Sequence, residues 1–173
     1  MELRFVPPEL AALDDVVADV AICPVWSDVR PFQGLAGLAD FRLAGRLSAL
    51  ALRRFVTGAE GETVLLPGRP KLAFPQLVLV GAGERAAFDE VVLLGLVERI
   101  LRITAGLGAT ACVVELPGRA DELVPPERAA ELLVTASARE RDEETWTLVE
   151  EGAARDRILG HMREARRRVR RVE

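Results

Sequence analysis

The feature that most constrains the fold is an apolar run ending at two glycines, Leu-Val-Leu-Val-Gly-Ala-Gly at residues 77–83. Four consecutive apolar residues without polar alternation indicate a strand that is buried on both faces. A long segment with helical spacing of apolar residues follows at residues 88–105. Strand, glycine turn and helix make up the crossover unit of α/β proteins, so this stretch predicts the central strand of an α/β sheet.

The composition is that of an ordinary soluble domain, with 173 residues, 50% hydrophobic and 29% charged. The amino terminus lacks the basic and apolar regions of a signal peptide. No run approaches the ~20 apolar residues of a membrane helix. We therefore expect a cytoplasmic protein without membrane association. Cys23 and Cys112 lie in apolar, strand-like segments and are predicted to be buried free thiols.

The remaining segments alternate between strand-like and helical patterns. Strands are predicted at residues 2–6, 16–25, 63–66, 71–74, 77–80, 109–116 and 146–149. Helices are predicted at residues 9–15, 40–55, 88–105, from Pro125-Pro126 onward, and 152–172, with Asp40 capping the second and Phe41 on its inner face. The pattern predicts a layered α/β/α domain with a mixed sheet of about six strands, formed by residues 1–151 together with a basic amphipathic helix at 152–173.

The side chains that carry common catalytic chemistry are sparse. Histidine occurs once, as His161, on a helix without a neighbouring histidine or cysteine. The chain contains no G-x-S-x-G elbow, no H-E-x-x-H pair and no Walker loop. The sequence therefore predicts no catalytic residue, no metal site and no cofactor.

The glycine turn has two interpretations. Gly81, Ala82 and Gly83 either make a tight turn, or present backbone N–H groups to an anionic ligand at the start of the next helix. A full dinucleotide fingerprint is absent because Ala86 stands at the position of its third glycine. The tight turn is the favoured interpretation, and ligand binding is the alternative.

The carboxyl-terminal segment is strongly basic, with eight arginines against three acidic residues from residue 155 onward. A heptad-like apolar stripe runs along it, and arginines including Arg166 and Arg170 lie beside the stripe. The stripe consists of Ile158, Met162, Ala165, Val169 and Val172. Three interpretations stay open: packing on its own domain, pairing with another chain, or binding a polyanion. No aromatic residues interleave with the arginines, which disfavours nucleic acid.

Three stretches in order resemble the amino-terminal domain of the leucyl aminopeptidase family. Residues 38–50 resemble its Leu-Asp…Gly…Leu helix, and residues 58–62, Gly-Ala-Glu-Gly-Glu, resemble its Gly-x-x-Gly-Glu turn. Residues 77–83 resemble its apolar strand ending in Gly-Leu-Gly, with Ala82 in place of leucine. Residues 146–172 are similar to the strand and helix that lead into the catalytic domain, so the likeness covers nearly the whole chain.

The resemblance implies a macro-domain-like fold and a cytosolic, hexameric family. It also implies that two-metal peptidase chemistry lies in a separate domain with an Asn-Thr-Asp-Ala-Glu-Gly-Arg motif. This chain has no asparagine, so no catalytic residue is carried over. The prediction is a stand-alone, non-catalytic assembly, regulatory or binding module. Its partner would be a second copy or a separate catalytic aminopeptidase chain. The alternative is a macro-domain-like binder of ADP-ribose or another phosphorylated small molecule.

Overall fold

A computed structural model describes residues 2–118, 123–137 and 144–169, with side chains in the last helix as far as Glu164. Within these residues, six strands form one sheet in the order β1-β6-β5-β2-β4-β3. The strands are β1 Glu2–Val6, β2 Val20–Trp26, β3 Thr63–Pro67, β4 Gln76–Gly83, β5 Ala111–Val114 and β6 Thr145–Val149. Only the β3–β4 pair of this sheet is antiparallel, which confirms the predicted mixed sheet.

Helices cover both faces of the sheet. They are α1 Leu10–Asp14, α2 Gly34–Arg42, α3 Arg46–Leu52, α4 Glu90–Leu107, α5 Pro126–Ser137 and α6 Gly152–Val169. Buried side chains of α1, α2 and α3 pack on one face, and those of α4, α5 and α6 pack on the other. The three-layer α/β/α architecture is therefore confirmed. None of the helices in the described residues is long and apolar enough to span a membrane.

The apolar run in β4 is buried on both faces, as predicted. Val78 and Val80 face α4, whereas Leu77 and Leu79 face the opposite layer, and each is at most 1% exposed. The strand continues past the apolar run and ends at Gly83, so the predicted glycine turn is in fact part of the sheet. Parallel pairing with β2 on one side and antiparallel pairing with β3 on the other holds β4 inside the sheet.

The long helix α4 has clear signals at both ends. The Asp89 carboxylate accepts hydrogen bonds from the N–H groups of Val91 and Val92, each at 2.9 Å, and so caps the first turn. Gly108 ends the helix with φ +65°, a conformation that glycine adopts without steric cost. The helix connects β4 to β5, which runs parallel to β4 and is separated from it in the sheet by β2.

The predicted helix at residues 40–55 is wrong in its boundaries. Two helices occupy this stretch because Ala44 and Gly45 adopt φ of 55° and 79°, which interrupts the helical ladder. Asp40 lies inside α2 and caps the following helix instead. Its carboxylate accepts hydrogen bonds from the N–H groups of Leu47 at 2.7 Å and Ser48 at 3.1 Å.

Two further local predictions are also wrong. Phe41 is 75% exposed, because α2 turns Leu35, Ala36 and Ala39 toward the core and the helical spacing places Phe41 on the other side. Residues 71–74 form turns and not a strand, closed by the hydrogen bonds from Gly68 N to Pro75 O and from Leu72 N to Gly68 O, both 3.0 Å. Leu72 is still buried, so its apolar character reflects packing beneath α2 and not sheet pairing.

Candidate functional site

A cavity of about 520 Å³ opens at the edge of the sheet where the parallel strands β1, β2, β5 and β6 end. Its walls come from the end of β2 and the loop into α2, from the residues after β5, and from the first turns of α6. Ligands of α/β proteins bind outside the carboxyl ends of parallel strands, and small-molecule pockets span ~300–1,000 Å³. The position and the size both fit a small-molecule site.

Two aromatic rings line this cavity, and each packs against a side chain that does not line it. The Trp26 ring meets Phe88 edge to face, with centroids 4.8 Å apart and an interplanar angle of 86°. The Phe32 ring lies 4.6 Å beneath the Arg30 guanidinium, which also donates hydrogen bonds to the carbonyls of Trp26 at 2.5 Å and Thr57 at 3.0 Å. Fixed aromatic walls suit a ligand with a flat apolar part.

The amino end of α2 is capped by a carboxylate from the other side of the cavity. Glu115 follows β5, and its side chain accepts a hydrogen bond from the backbone N–H of Leu35. The residue before the helix, Gln33, makes no capping hydrogen bond with its side chain. Gly34 has φ +55°, and a Cβ atom there would collide with the Glu115 carboxylate. Glycine at this position therefore makes room for the acidic cap.

Sequence analysis missed Glu115 because its partner lies 80 residues away. A signal exists in the sequence. The segment that begins at Gly34 has no serine, threonine, aspartate or asparagine next to it, although these residues are the preferred helix caps. A helix start without a local cap indicates that another part of the chain supplies the acceptor.

Among the described lining residues, the other charges come from α6 and from the residue before it. Glu151 and Arg157 line the opening, and Arg157 Nη2 lies 3.0 Å from Glu127 Oε1. Burial acts to raise the pKa of Glu127, but hydrogen bonds from its own backbone and from Arg157 outweigh it and leave that pKa below its usual value. The guanidinium at the cavity mouth is thus already shared with a carboxylate.

Both cysteines are buried free thiols, as predicted. They lie on opposite faces of the sheet, Cys23 toward α2 and Cys112 toward α4. Burial raises the pKa of the Cys23 thiol well above its usual value, and the negative charge of Glu115 raises it further. The neutral thiol is a poor nucleophile, so Cys23 acts as a core residue beneath the cavity.

The predicted ligand residues Gly81, Ala82 and Gly83 do not line the cavity. Gly81 N donates to Glu62 O and Gly83 N donates to Gly58 O, both at 2.9 Å. These two N–H groups are therefore satisfied by the chain itself. Ligand binding at this turn stays a prediction, and the cavity beside β2 and β5 has the better geometry for it.

The Gly-Ala-Glu-Gly-Glu turn explains why β4 ends in glycines. The Glu62 carboxylate accepts hydrogen bonds from the N–H and hydroxyl groups of Thr57 and from Gly58 N, at 2.7–3.0 Å. The backbone carbonyls of this turn accept hydrogen bonds from the N–H groups of Gly81 and Gly83. Gly81 sits so close to Ala59 that no Cβ atom fits between them. The two sequence motifs are therefore one packed unit.

The predicted interaction residues of the last helix divide into two groups. Ile158 is fully buried in the core shared with α4 and α5, and Met162 packs against the same core. Side chains of Arg166 and Val169, and the whole of Arg170, lie outside the described residues. The first turns of α6 thus pack on their own domain, and pairing with another chain stays a prediction.

Among the side chains that the structure describes, no group of three or more histidines, cysteines, aspartates or glutamates is placed to hold a metal ion. His161 Nε2 lies 3.3 Å from Glu131 Oε2, in an ion-pair geometry between α6 and α5.

Comparison with known families identifies the family of the chain. A sequence model described as the cytosol aminopeptidase family, N-terminal domain, matches residues 24–143. The chain belongs to the cytosol aminopeptidase family. The match includes all three stretches that carried the resemblance, from the α2–α3 segment to β4. No curated protein matches the chain by sequence.

Solved structures agree on the fold. A mutant of tomato leucine aminopeptidase has a TM-score of 0.64 at 15% identity, over 94% of this chain and 35% of that one. The Oceanobacillus iheyensis macrodomain with ADP gives 0.69 at 10%, over 90% and 88% of the two chains. The Trypanosoma brucei macrodomain in complex with ADP gives 0.69 at 14%, over 92% and 67%. The domain is macrodomain-like, and it spans about a third of the tomato enzyme's length.

Proposed function

We propose that this domain is a non-catalytic binding module of the cytosol aminopeptidase family, with the cavity at the carboxyl ends of β2 and β5 as its ligand site. The observation that carries the proposal is the fixed aromatic lining of a cavity of about 520 Å³. Trp26 and Phe32 both line the cavity, and aromatic side chains pack favourably against a flat ring. A small organic molecule with a planar apolar group is the class of ligand that this lining favours.

The non-catalytic part of the proposal rests on the family match and on the cavity itself. The matched family model is that of the amino-terminal domain, not of the peptidase domain. Glu115 holds a backbone N–H, and the pKa of Cys23 is raised, so neither side chain is poised as a base or nucleophile.

The purified domain is expected to leave leucyl-p-nitroanilide intact with Mn²⁺ or Zn²⁺ added. Release of p-nitroaniline, followed by absorbance, should equal that of a heat-denatured sample of the same preparation. Metal-dependent release that co-purifies with the domain through a second column would contradict the proposal.

Adenosine is a suitable first probe, because two of the structurally similar macrodomains hold ADP. Calorimetry is expected to show adenosine binding. Ala154→Trp should weaken this binding by about ten-fold or more, because the larger side chain on the cavity wall takes up space that the ligand needs. Ala49→Trp, on an exposed helical position away from the cavity, is the matched control and should bind as the wild type does. Absence of binding at millimolar adenosine would contradict a ligand site here.

A second candidate is a binder of ADP-ribose or another phosphorylated small molecule. The specific support is the macrodomain-like fold, whose solved examples include structures with ADP. The acidic cap on α2 opposes it, since an anion at that helix end would meet the Glu115 carboxylate. The charge of the ligand therefore separates the two candidates.

A further inference from the structure

We infer that Glu115 makes this cavity selective for uncharged or cationic ligands by occupying, with its own carboxylate, the place where a phosphate group would bind at the amino end of α2. The inference rests on the proposed function, because it assigns the ligand class of the same cavity. It assigns Glu115 a role in specificity that the family match does not supply.

The amino end of α2 is already occupied by a carboxylate of the chain. A helix amino terminus attracts anions because its first N–H groups lack partners and its dipole is positive there. In this domain the Leu35 N–H donates to Glu115, so a carboxylate of the chain already uses this end of α2. A ligand phosphate would have to displace Glu115 or approach it closely.

The Glu115 carboxylate covers the amino end of α2. Glu115 is half-buried, and Gly34 packs so closely on it that a side chain at position 34 would collide with it. The carboxylate thus lies directly over Gly34, the first residue of α2. A phosphate that took over the Leu35 N–H would lie close to the displaced carboxylate, and the two negative charges would repel each other.

The charged side chains around the cavity are more often acidic than basic. Among the described lining residues the charged side chains are Glu115, Glu151 and Arg157, and the last is paired with Glu127 at 3.0 Å. Arg30, beside the Phe32 wall, donates to backbone carbonyls, among them that of Val29 at 2.6 Å. Hydrogen bonds to carbonyls do not cancel the charge of Arg30, but with Glu127 included the described charged groups here are three carboxylates and two guanidinium groups, a net charge of −1. Beneath the cavity wall, burial raises the pKa of the Cys23 thiol, and the negative charge of Glu115 raises it further.

A charge-matched series of nucleosides tests the inference. The probes are 5′-amino-5′-deoxyadenosine, adenosine and adenosine 5′-monophosphate, which differ only in the charge of the 5′ group. Calorimetry at neutral pH and constant ionic strength should show the wild-type domain binding the monophosphate about ten-fold more weakly than adenosine, and the amine at least as tightly. Monophosphate binding equal to or tighter than adenosine binding overturns the inference.

The variant Glu115→Gln removes the charge and keeps an oxygen that can accept from Leu35. The ratio of monophosphate affinity to adenosine affinity should rise about five-fold or more in this variant. Glu60→Gln, an exposed position outside the cavity, should leave that ratio unchanged. An unchanged ratio in folded Glu115→Gln overturns the inference. If that variant unfolds, the wild-type order of the three probes still decides. If none of the probes binds the wild type or either variant, the proposed ligand site itself fails and the inference falls with it.

Discussion

Replacing Gly81 by alanine is expected to lower the free energy of unfolding by about 3 kcal/mol, which corresponds to a fall of about 6–12 °C in Tm for a chain of this length. The added Cβ atom would collide with the carbonyl of Ala59 and would lie 2.9 Å from the carbonyl carbon of Gly58. Both contacts are with backbone, which cannot rotate away as a side chain can. Urea denaturation followed by circular dichroism measures the change.

A second glycine provides the control for this prediction. Gly95 lies on the exposed side of α4, and a Cβ atom there meets nothing within 4 Å. Gly95→Ala should therefore raise stability by about 0.5–1 kcal/mol, since alanine loses less backbone entropy in a helix. If Gly81→Ala and Gly95→Ala unfold at the same denaturant concentration, the turn at residues 58–62 is not packed on β4 as described.

Replacing Ile158 by alanine has the other large expected effect, a loss of about 3 kcal/mol. The side chain is fully buried in the core shared with α4 and α5, and removing it leaves a cavity in that layer. Equilibrium denaturation at several protein concentrations measures the loss. The midpoint should fall by the same amount at each concentration, because the contact is within one chain.

Leu52→Ala is the matched control for Ile158→Ala. Leu52 is 87% exposed, so its truncation should change stability by about 0.5 kcal/mol or less. A wild-type midpoint for Ile158→Ala, together with a lower mass by light scattering, would mean that the stripe of α6 pairs with another chain. This result would reverse the packing described for the first turns of α6.

The sheet could be predicted from the sequence because its signals are local. The unbroken apolar run at residues 77–80 identified a strand buried on both faces, and both faces are covered. Strand and helix order then predicted the layers, and the ordered motifs predicted the family. Each of these inferences depends on neighbours in the sequence, where periodicity carries information.

The details of the site could not be predicted in this way, because they depend on distant contacts. The capping of α2 by Glu115 joins positions 80 residues apart, and no local pattern in the sequence shows that pairing. The glycines of β4 were interpreted as a turn because their partner, the turn held by Glu62, lies on another segment. The break at Ala44 was missed because alanine ordinarily favours a helix, whereas here it adopts a positive φ just before Gly45.

The tie between the Glu62 turn and β4 has a consequence for engineering the domain. The N–H groups of Gly81 and Gly83 donate to carbonyls of that turn, so the chain's own backbone covers the end of β4. The segments after β2 and β5, which line the cavity together with Glu115, are therefore the better place to add new recognition chemistry. A library confined to those segments would vary what the scaffold binds and leave intact the contacts that hold the scaffold together.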